Sequence, residues 1–379
     1  MSSIYLHIPY CDTKCCYCDF YSIENHDSKN IFIKSLIKEI STSAKIYSDK
    51  EVVETIFFGG GTPSLLEPNE LELILNSLYN NFTISDSSEV TLEANPGTVN
   101  LEKLKAYRSL GINRLSFGVQ SFNNDELIFL SRIHTGDEAR DAIKLARKAG
   151  FDNLNIDLMF SLPNQTIEKL KFTLNEAFSF STEHISAYSL IVEPNTPLFK
   201  LVQNKIVSPL PVDDDAKLYN FILDQMSLNG FEQYEVSNFC KPGYHSRHNS
   251  NYWNHTNYLG FGPSAHSFWK NNFENAKRWS NHRNITKYCD DLENNISPIS
   301  MEEFLTKKDL STEFLFLGLR SSGIDLNKMN NIYDKNISIE QKEKIQNYIQ
   351  KNYIELNNNF IHLTKKGYMV CDSIIEQLL

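Results

Sequence analysis

Short apolar runs rich in β-branched residues alternate with longer amphipathic segments through the first two thirds of the chain. The runs occupy six ranges: 4–9, 55–58, 89–94, 114–119, 154–160 and 184–192. Between them, five segments have apolar residues three and four apart, which is typical of a helix with one buried face: 31–48, 69–80, 101–110, 137–149 and 167–180. This alternation predicts an α/β fold with a parallel sheet. Six units are too few for the usual closed eight-unit barrel, so we expect an incomplete (β/α)6 barrel, open at one side.

The pattern changes in the last third of the 379-residue chain. A further helix is predicted at 213–229, and residues 230–300 are rich in aromatic residues, His and Asn, with few regular runs. Helical patterns then surround a hairpin-like stretch at 354–363; they lie at 304–319, 338–351 and 365–379. We therefore predict three parts: a barrel at 1–230, an extension at 231–300 and a small, winged-helix-like α+β domain at 301–379. Such small modules often bind nucleic acid, but packing or protein interaction is their commoner use.

Composition restricts the classes of function. The formal net charge of −10 argues against a general nucleic-acid binder, because such a protein needs a basic face. No apolar stretch is long enough to cross a bilayer. The first 20 residues also lack the basic and long apolar regions of a secretory signal. We therefore expect a cytoplasmic protein in which disulfides are not favoured.

Three cysteines near the N-terminus, Cys11, Cys15 and Cys18, have the spacing C-x3-C-x2-C. Clustered cysteines can form a zinc site, a redox pair or a disulfide framework. Zinc requires a further ligand, and His7 is the only nearby candidate. Cubane iron–sulfur clusters are usually held by four thiolates, so a compact triplet favours a cluster with one iron left open for another ligand.

Unusual residues stand where the predicted strands end. The segment 59–64, Gly-Gly-Gly-Thr-Pro-Ser, follows the second run, and its glycines would let the backbone approach a ligand and present N–H groups to it. Polar side chains accompany the next three runs: Glu93 stands at the end of the third and Gln120 at the end of the fourth, Arg132 follows the fourth at 130–134, and Asp157 lies within the fifth. Each alone could be a cap or a core ion pair. Because the carboxyl ends of parallel strands share one edge, we expect them to converge on one site.

These residues together resemble the radical S-adenosylmethionine (SAM) superfamily over residues 4–270. Tyr-x-His-Ile-Pro-Tyr-Cys11 and Gly118-Val-Gln-Ser-Phe122 resemble one branch more specifically. That branch contains the oxygen-independent coproporphyrinogen III oxidases and the related haem chaperones. The resemblance implies that Cys11, Cys15 and Cys18 hold a [4Fe–4S] cluster, and that its open iron chelates the amino and carboxylate groups of SAM. A reduced cluster can then cleave SAM to methionine and a 5′-deoxyadenosyl radical.

The resemblance also implies direct contacts to SAM and an electron donor such as flavodoxin or ferredoxin. The SAM contacts are Tyr5, Tyr17, Gly60, Gly61, Thr62, Glu93, Gln120, Arg132 and Asp157. Cys16 is not part of the motif and is interpreted as a bystander. A glycine-rich stretch at 258–266 resembles the family too, but Pro263 departs from its pattern, so no role is predicted for His266.

Two positions separate the oxidases from the chaperones. The oxidases have a further cysteine two residues after the third cluster cysteine, where this chain has Phe20. The segment 248–253 matches the H-N-x-x-Y-W pattern of the chaperone branch. A neutral imidazole can ligate haem iron, and aromatic neighbours offer flat faces to a porphyrin. Haem contacts are therefore predicted at His248, Asn249, Tyr252 and Trp253, against the alternative that this histidine is an ordinary surface residue.

The favoured hypothesis is a haem chaperone that binds haem and a SAM-ligated cluster and delivers haem to acceptor haemoproteins. Peripheral membrane association through those partners is compatible with it. One alternative is an oxygen-independent coproporphyrinogen III oxidase, so the sequence leaves open whether the protein is an enzyme. A second alternative is a partner-docking protein with a structural cluster. The sequence does not identify the haem acceptor.

Overall fold

The barrel consists of six parallel strands that lie side by side in chain order. We describe it from a computed structural model that covers residues 1–379. The strands are β1 (Ser2–Ile8), β2 (Val53–Gly60), β3 (Ile84–Ala94), β4 (Arg114–Gln120), β5 (Leu154–Phe160) and β6 (His184–Ser189). Their apolar side chains belong to a core of 56 buried residues, which explains why the runs read as continuously apolar.

Helices connect successive strands and pack on the outside of the sheet. They are α1 (Lys29–Tyr47), α2 (Pro68–Asn81), α3 (Leu101–Ser109), α4 (Asn124–Phe129), α5 (Gly136–Lys148) and α6 (Ile167–Ser179). Helix α5 illustrates the local rules. Thr135 and Glu138 form a capping box at its start, and Ala139, Ala142, Ile143 and Ala146 form its buried face.

Residues 197–306 extend the sheet at both edges. The elements are α7 (Pro197–Gln203), α8 (Val212–Leu228), β7 (Glu232–Gln233), β8 (Asn238–Cys240), α9 (Arg247–Trp253), β9 (Asn257–Phe261), β10 (His266–Lys270), β11 (Asn275–Asn281), α10 (Ile285–Glu293) and β12 (Ile299–Thr306). The resulting order of twelve strands is β12-β11-β10-β9-β1-β2-β3-β4-β5-β6-β8-β7. Because β9 lies beside β1 and β8 beside β6, other strands occupy both edges of the six-strand unit, and the predicted α/β class with an incomplete barrel is confirmed.

The C-terminal residues form a separate small core on the extended sheet. Their elements are α11 (Lys307–Leu319), β13 (Ile324–Asp325), α12 (Leu326–Tyr333), α13 (Ile339–Gln350), β14 (Ile354–Asn357), β15 (Phe360–Leu363), α14 (Lys365–Tyr368) and α15 (Cys371–Leu378). Strands β13, β15 and β14 make a three-stranded antiparallel sheet. The core has 18 buried residues and includes Phe268, Ala276 and Leu305 from β10, β11 and β12, so this unit packs directly against the extension.

Several details differ from the sequence-based expectations. The stretch with few regular runs contains the five strands β7 to β11 and the start of β12, and the helix predicted at 304–319 begins only at Lys307, because β12 runs to Thr306. The single helix predicted at 365–379 is divided into α14 and α15. The three-part division at residues 230 and 300 stays a prediction. No helix has both the length and the apolar character that a membrane crossing requires.

Candidate functional site

A loop after β1 carries the three predicted cluster cysteines. Its base is closed by backbone hydrogen bonds from Cys11 N to the Ile23 carbonyl, 3.0 Å, and from Ile23 N to the Pro9 carbonyl, 2.7 Å. Within the loop, Cys18 N donates to the Cys15 carbonyl at 3.2 Å, which folds the last two cysteines into a turn. The loop is therefore anchored at both ends and presents its cysteines at the carboxyl edge of the sheet.

The thiols of the loop differ in their surroundings. Thr62 Oγ1 donates to Cys11 Sγ at 3.5 Å, and an Arg132 Nη donates to Cys15 Sγ at 3.4 Å. Cys16 instead donates its thiol to the Phe129 carbonyl at 3.3 Å and does not line the central cavity. Burial raises the pKa of Cys11, and it raises that of Cys18 to about 11. Both thiols stay protonated at neutral pH unless a metal replaces the protons.

A cavity of about 400 Å³ lies beside this loop at the carboxyl ends of the strands. It brings together all three cluster cysteines and eight of the nine predicted SAM contacts. The eight are Tyr17, Gly60, Gly61, Thr62, Glu93, Gln120, Arg132 and Asp157. The ninth, Tyr5, lines an adjoining cavity of about 270 Å³ that shares Gly60, Glu93 and Asp157 with the first. The expected convergence at one edge of the sheet is therefore present, whereas the ligand contacts themselves stay predictions.

The cysteine arrangement is compatible with a cluster. No three His, Cys, Asp or Glu side chains surround a point where a single metal ion would sit. A cubane presents separate iron atoms, so its three thiolates need not converge on one point. Three thiols around a cavity of this size, one of which accepts a hydrogen bond from the half-buried Arg132, fit that requirement.

Two N–H groups of the 59–64 segment hydrogen-bond to the chain just before the cysteine loop. Gly61 N donates to the Ile8 carbonyl at 2.8 Å, and Thr62 N donates to the Tyr10 carbonyl at 2.7 Å, so these two N–H groups bind the cysteine loop and are not free for a ligand. A Cβ on Gly61 would lie only 2.7 Å from the Tyr10 carbonyl oxygen. Glycine is needed here because the two backbones approach so closely.

Two carboxylates, Glu93 and Asp157, line both cavities. Burial, reinforced by the neighbouring Asp157, raises the pKa of Glu93 to about 8. Burial also raises the pKa of Asp157, although this carboxylate accepts hydrogen bonds from Ser116 Oγ at 3.0 Å and Asn155 Nδ2 at 2.8 Å. A cationic ligand would stabilise both carboxylates in their charged form.

Arg132 connects the cysteines to the rest of the cavity. One Nη donates to Asn95 Oδ1 at 2.5 Å and to the Gly118 carbonyl at 2.7 Å, while its Nε is buried without a partner. Gln120, which ends β4, has a φ of 67°, a left-handed conformation that non-glycine residues seldom adopt. Strained strand ends of this kind are common at binding sites.

The predicted haem motif lies on α9, at the other end of the strands. His248 is 1% exposed; its Nδ1 is 2.8 Å from Thr55 Oγ1 and its Nε2 is 3.0 Å from the Tyr252 hydroxyl. Its ring stacks on Phe57, and burial lowers its pKa to about 3. Both ring nitrogens are engaged, so in this conformation His248 has no free position for iron.

The other three residues of the predicted motif lie in different surroundings. Asn249 and Tyr252 line the cavity that adjoins the SAM cavity, together with His248. Trp253 ends α9 and lines neither cavity. Asn251 Nδ2 donates to Ser3 Oγ at 2.8 Å, and His248 N donates to Glu89 at 3.0 Å, so α9 is fixed near the start of the strands. The motif closes the amino end of the barrel interior.

Several cavity residues were not identified from the sequence. Asn95 and Tyr188 line the larger cavity, and Arg114 lines the smaller one. Arg114 is 1% exposed, and its Nε has no hydrogen-bond partner. A charged residue within an apolar run, the signal that identified Asp157, also marks Arg114. Asn95 carried no comparable signal, because its role depends on the position of Arg132.

Comparison with known proteins agrees with this geometry. A model of the Radical SAM superfamily matches residues 5–177, and a model of the HemN C-terminal domain matches residues 305–370. The solved structure of coproporphyrinogen III oxidase (HemN) from Escherichia coli has a TM-score of 0.85 at 21% identity; the match covers 100% of this chain and 89% of that one. At this identity the structural match supports the fold alone.

Fold and site therefore define a radical SAM protein, a class that carries a [4Fe–4S] cluster and uses SAM. Curated relatives show to which family within this class the chain belongs. Heme chaperone HemW of Bacillus subtilis is 34% identical over 384 residues, which cover 100% of this chain and 99% of that protein. Heme chaperone HemW of Haemophilus influenzae is 34% identical, with coverage of 100% and 97%. The chain belongs to the HemW family.

Proposed function

We propose that the protein is a haem chaperone that binds haem and a SAM-ligated [4Fe–4S] cluster and delivers haem to acceptor haemoproteins. The observation that carries the proposal is full-length membership of a family whose curated members are named heme chaperones. Phe20 agrees with it, because phenylalanine at the mouth of the cavity cannot supply the thiol that the oxidases have there.

The cavity residues have complementary roles in this proposal. Cys11, Cys15 and Cys18 hold the cluster, which when reduced can supply an electron to SAM. The SAM contacts are Tyr5, Tyr17, Gly60, Gly61, Thr62, Glu93, Gln120, Arg132 and Asp157. The two carboxylates among them suit the ammonium, the sulfonium and the ribose of SAM. The buried Nε of Arg132 suits its carboxylate, since a guanidinium binds carboxylates strongly.

Cys15 and Cys16 provide a matched test of the cluster assignment. We expect Cys15→Ala to lose most of the iron taken up on anaerobic reconstitution and Cys16→Ala to retain it, because only the Cys15 thiol lines the cavity. Iron and sulfide analysis with the visible spectrum would measure both. Equal iron contents in the two variants would contradict the assignment.

Haem binding is tested on the reconstituted parent protein. We expect a Soret band that survives gel filtration and transfer of the haem to an added apo-haemoprotein. A parent protein that retains no haem would overturn the chaperone proposal.

The alternative function is oxygen-independent oxidation of coproporphyrinogen III. The fold similarity to the Escherichia coli enzyme is the observation that favours it. Anaerobic incubation with coproporphyrinogen III, SAM and a flavodoxin or ferredoxin reducing system would distinguish the two. We expect no protoporphyrinogen to form. Its formation would favour the alternative in which this protein is a coproporphyrinogen III oxidase.

A further inference from the structure

A third cavity, of about 360 Å³, opens beside the SAM cavity on the side of the extension. Its walls include the aromatic side chains of Phe20, Tyr252 and Tyr258, together with His266 and Arg283. Phe20 lines this cavity and both of the others, so the three cavities meet at one side chain. Phe20 is 66% exposed, so its ring is accessible to a ligand in any of the three cavities.

His266 differs from the other histidines of the cavities in having free ring nitrogens. His7, in the same cavity, places Nε2 2.8 Å from the Tyr21 carbonyl and Nδ1 3.2 Å from the Tyr5 hydroxyl. His248 is bonded at both nitrogens. The His266 side chain is exposed, and its pKa is lowered by partial burial and by Arg278, without a hydrogen-bonded partner. A neutral, unbonded imidazole at a cavity wall can bind iron.

The backbone of His266 is held firmly. It begins β10, where it pairs with Ser280 of β11. On the other side, a Cβ at Gly260 would lie 2.0 Å from the His266 carbonyl oxygen, so the strand with Gly260 packs directly against it. An imidazole on a rigid strand is better placed to hold a metal ligand than one on a loop.

A cation and flat aromatic surfaces complete the cavity. Arg283 is 53% exposed and pairs with Asp19 at 3.0 Å. Exposed ion pairs of this kind contribute about 0–1 kcal/mol, so the guanidinium can readily be shared with another carboxylate. Tyr252 and Tyr258 meet edge to face with ring centroids 4.7 Å apart, and Phe20 lines the same cavity. Aromatic rings of this kind pack well against a planar macrocycle.

We propose that this cavity is the haem seat, with His266 as an axial ligand of the iron, Phe20 and Tyr258 against the porphyrin, and Arg283 on a propionate. The inference rests on the proposed chaperone function and assigns its ligand to a place outside the H-N-x-x-Y-W motif. In this assignment Tyr252 is the motif residue that reaches the haem, whereas His248 supports the barrel interior. Haem would then lie beside the SAM cavity and share Phe20 with it.

The first experiment compares His266→Ala with His245→Ala on reconstituted protein of equal iron content. His245 is an exposed histidine that lines none of the three cavities, so it is a matched control. We expect haem titration to give at least tenfold weaker binding for His266→Ala, with a shifted Soret band that added imidazole restores, and parent behaviour for His245→Ala. Unchanged affinity and Soret position in His266→Ala would overturn the inference while leaving the chaperone function intact. A parent that binds no haem would overturn both.

The second experiment tests the propionate contact with haem and haem dimethyl ester as probes. The parent should bind haem at least tenfold more tightly than the ester, because the ester carries no charged carboxylates. Arg283→Gln should bind the two probes within about twofold of each other. If Arg283→Gln kept the parent's preference for haem, Arg283 would not be the propionate partner.

Discussion

Arg132 is the residue in which the proposed cluster and SAM sites meet, because its guanidinium contacts a cluster cysteine, Asn95 and the Gly118 carbonyl at once. Lysine would keep the charge but not the planar fork that makes these contacts. We predict that Arg132→Lys weakens SAM binding about tenfold or more, since a hydrogen bond to a charged group contributes about 1.5–3 kcal/mol. Equilibrium dialysis of labelled SAM against protein of matched iron content measures this.

Arg108→Lys is the control for that variant, since Arg108 is an exposed arginine whose Nε bonds a backbone carbonyl far from the cavity. Its SAM affinity should equal that of the parent. If Arg132→Lys also bound SAM as tightly as the parent, Arg132 would not be a SAM contact, and its role would be limited to its hydrogen bond with the cysteine loop.

His248 gives a pH-dependent contribution to stability. Its pKa is about 3 in the fold, below the ordinary value near 6.5, so its contribution is present above about pH 6.5 and is lost as the pH falls towards 3. We predict that His248→Asn is less stable than the parent at about pH 7 and that the gap narrows by about 2 kcal/mol at about pH 5. Urea unfolding of both proteins at the two pH values, followed by circular dichroism, measures the gap, and a gap that stays constant would contradict this prediction.

Residue types alone identified most of the cavity residues, but they did not show whether the histidine ring nitrogens are hydrogen-bonded or free. Glu93 and Asp157 could be placed because a carboxylate in a buried strand is costly unless it is paired or hydrogen-bonded, and several such residues were expected at one edge of the sheet. The surroundings of His248 depend on Thr55, which lies 193 residues away in the chain. No local pattern contains such a contact, so the sequence could not distinguish a free imidazole from a bonded one.

The turn that follows β2 is the element that fixes the cysteine loop. Gly61 and Gly97 both stand in turns at the carboxyl edge of the sheet but differ in the space around them. A Cβ at Gly61 would meet the backbone oxygens of Tyr10 and Ile8 at 2.7 and 2.9 Å, whereas a Cβ at Gly97 would meet nothing within 4 Å. Backbone atoms cannot move aside as flexible side chains can.

We predict that Gly61→Ala lowers the free energy of unfolding by about 1–3 kcal/mol and reduces iron uptake, because the cysteine loop must shift. Gly97→Ala should stay within about 0.5 kcal/mol of the parent and take up iron normally. Denaturant titration and iron analysis of the two variants provide the comparison. Full iron uptake by Gly61→Ala would show that the loop tolerates the displacement.

Elements were predicted well where their burial is regular. The six barrel strands are apolar because helices and core cover them, and their helices show a clear amphipathic period. Strands β9 to β12 were missed because β11 and β12 mix exposed polar and buried apolar positions and pair with partners distant in the chain. The pairing of β9 with β1, more than 250 residues earlier, has no local signature.

At the scale of the whole molecule, a buried carboxylate joins the barrel to the extension. Glu39 of α1 accepts hydrogen bonds from Gly262 N at 2.8 Å, Asn281 Nδ2 at 2.6 Å and the Tyr288 hydroxyl at 2.5 Å. All three donors lie more than 220 residues away in the chain. Burial raises the pKa of Glu39 to about 7 despite these donors. The packing of the extension, which carries His266 and Arg283, against the barrel therefore depends on the protonation of Glu39.

The sign of this dependence is opposite to that of His248. Because the pKa of Glu39 is raised in the fold, its contribution is fully present below about pH 4.5 and is lost as the pH rises through about 7, a difference of about 3 kcal/mol. We predict that Glu39→Gln, which cannot ionise, is less stable than the parent at about pH 5 and approaches or exceeds it at about pH 8. Denaturant unfolding of the two proteins at both pH values measures this, and a Glu39→Gln difference that does not change with pH would mean that Glu39 is already ionised in the folded protein at low pH.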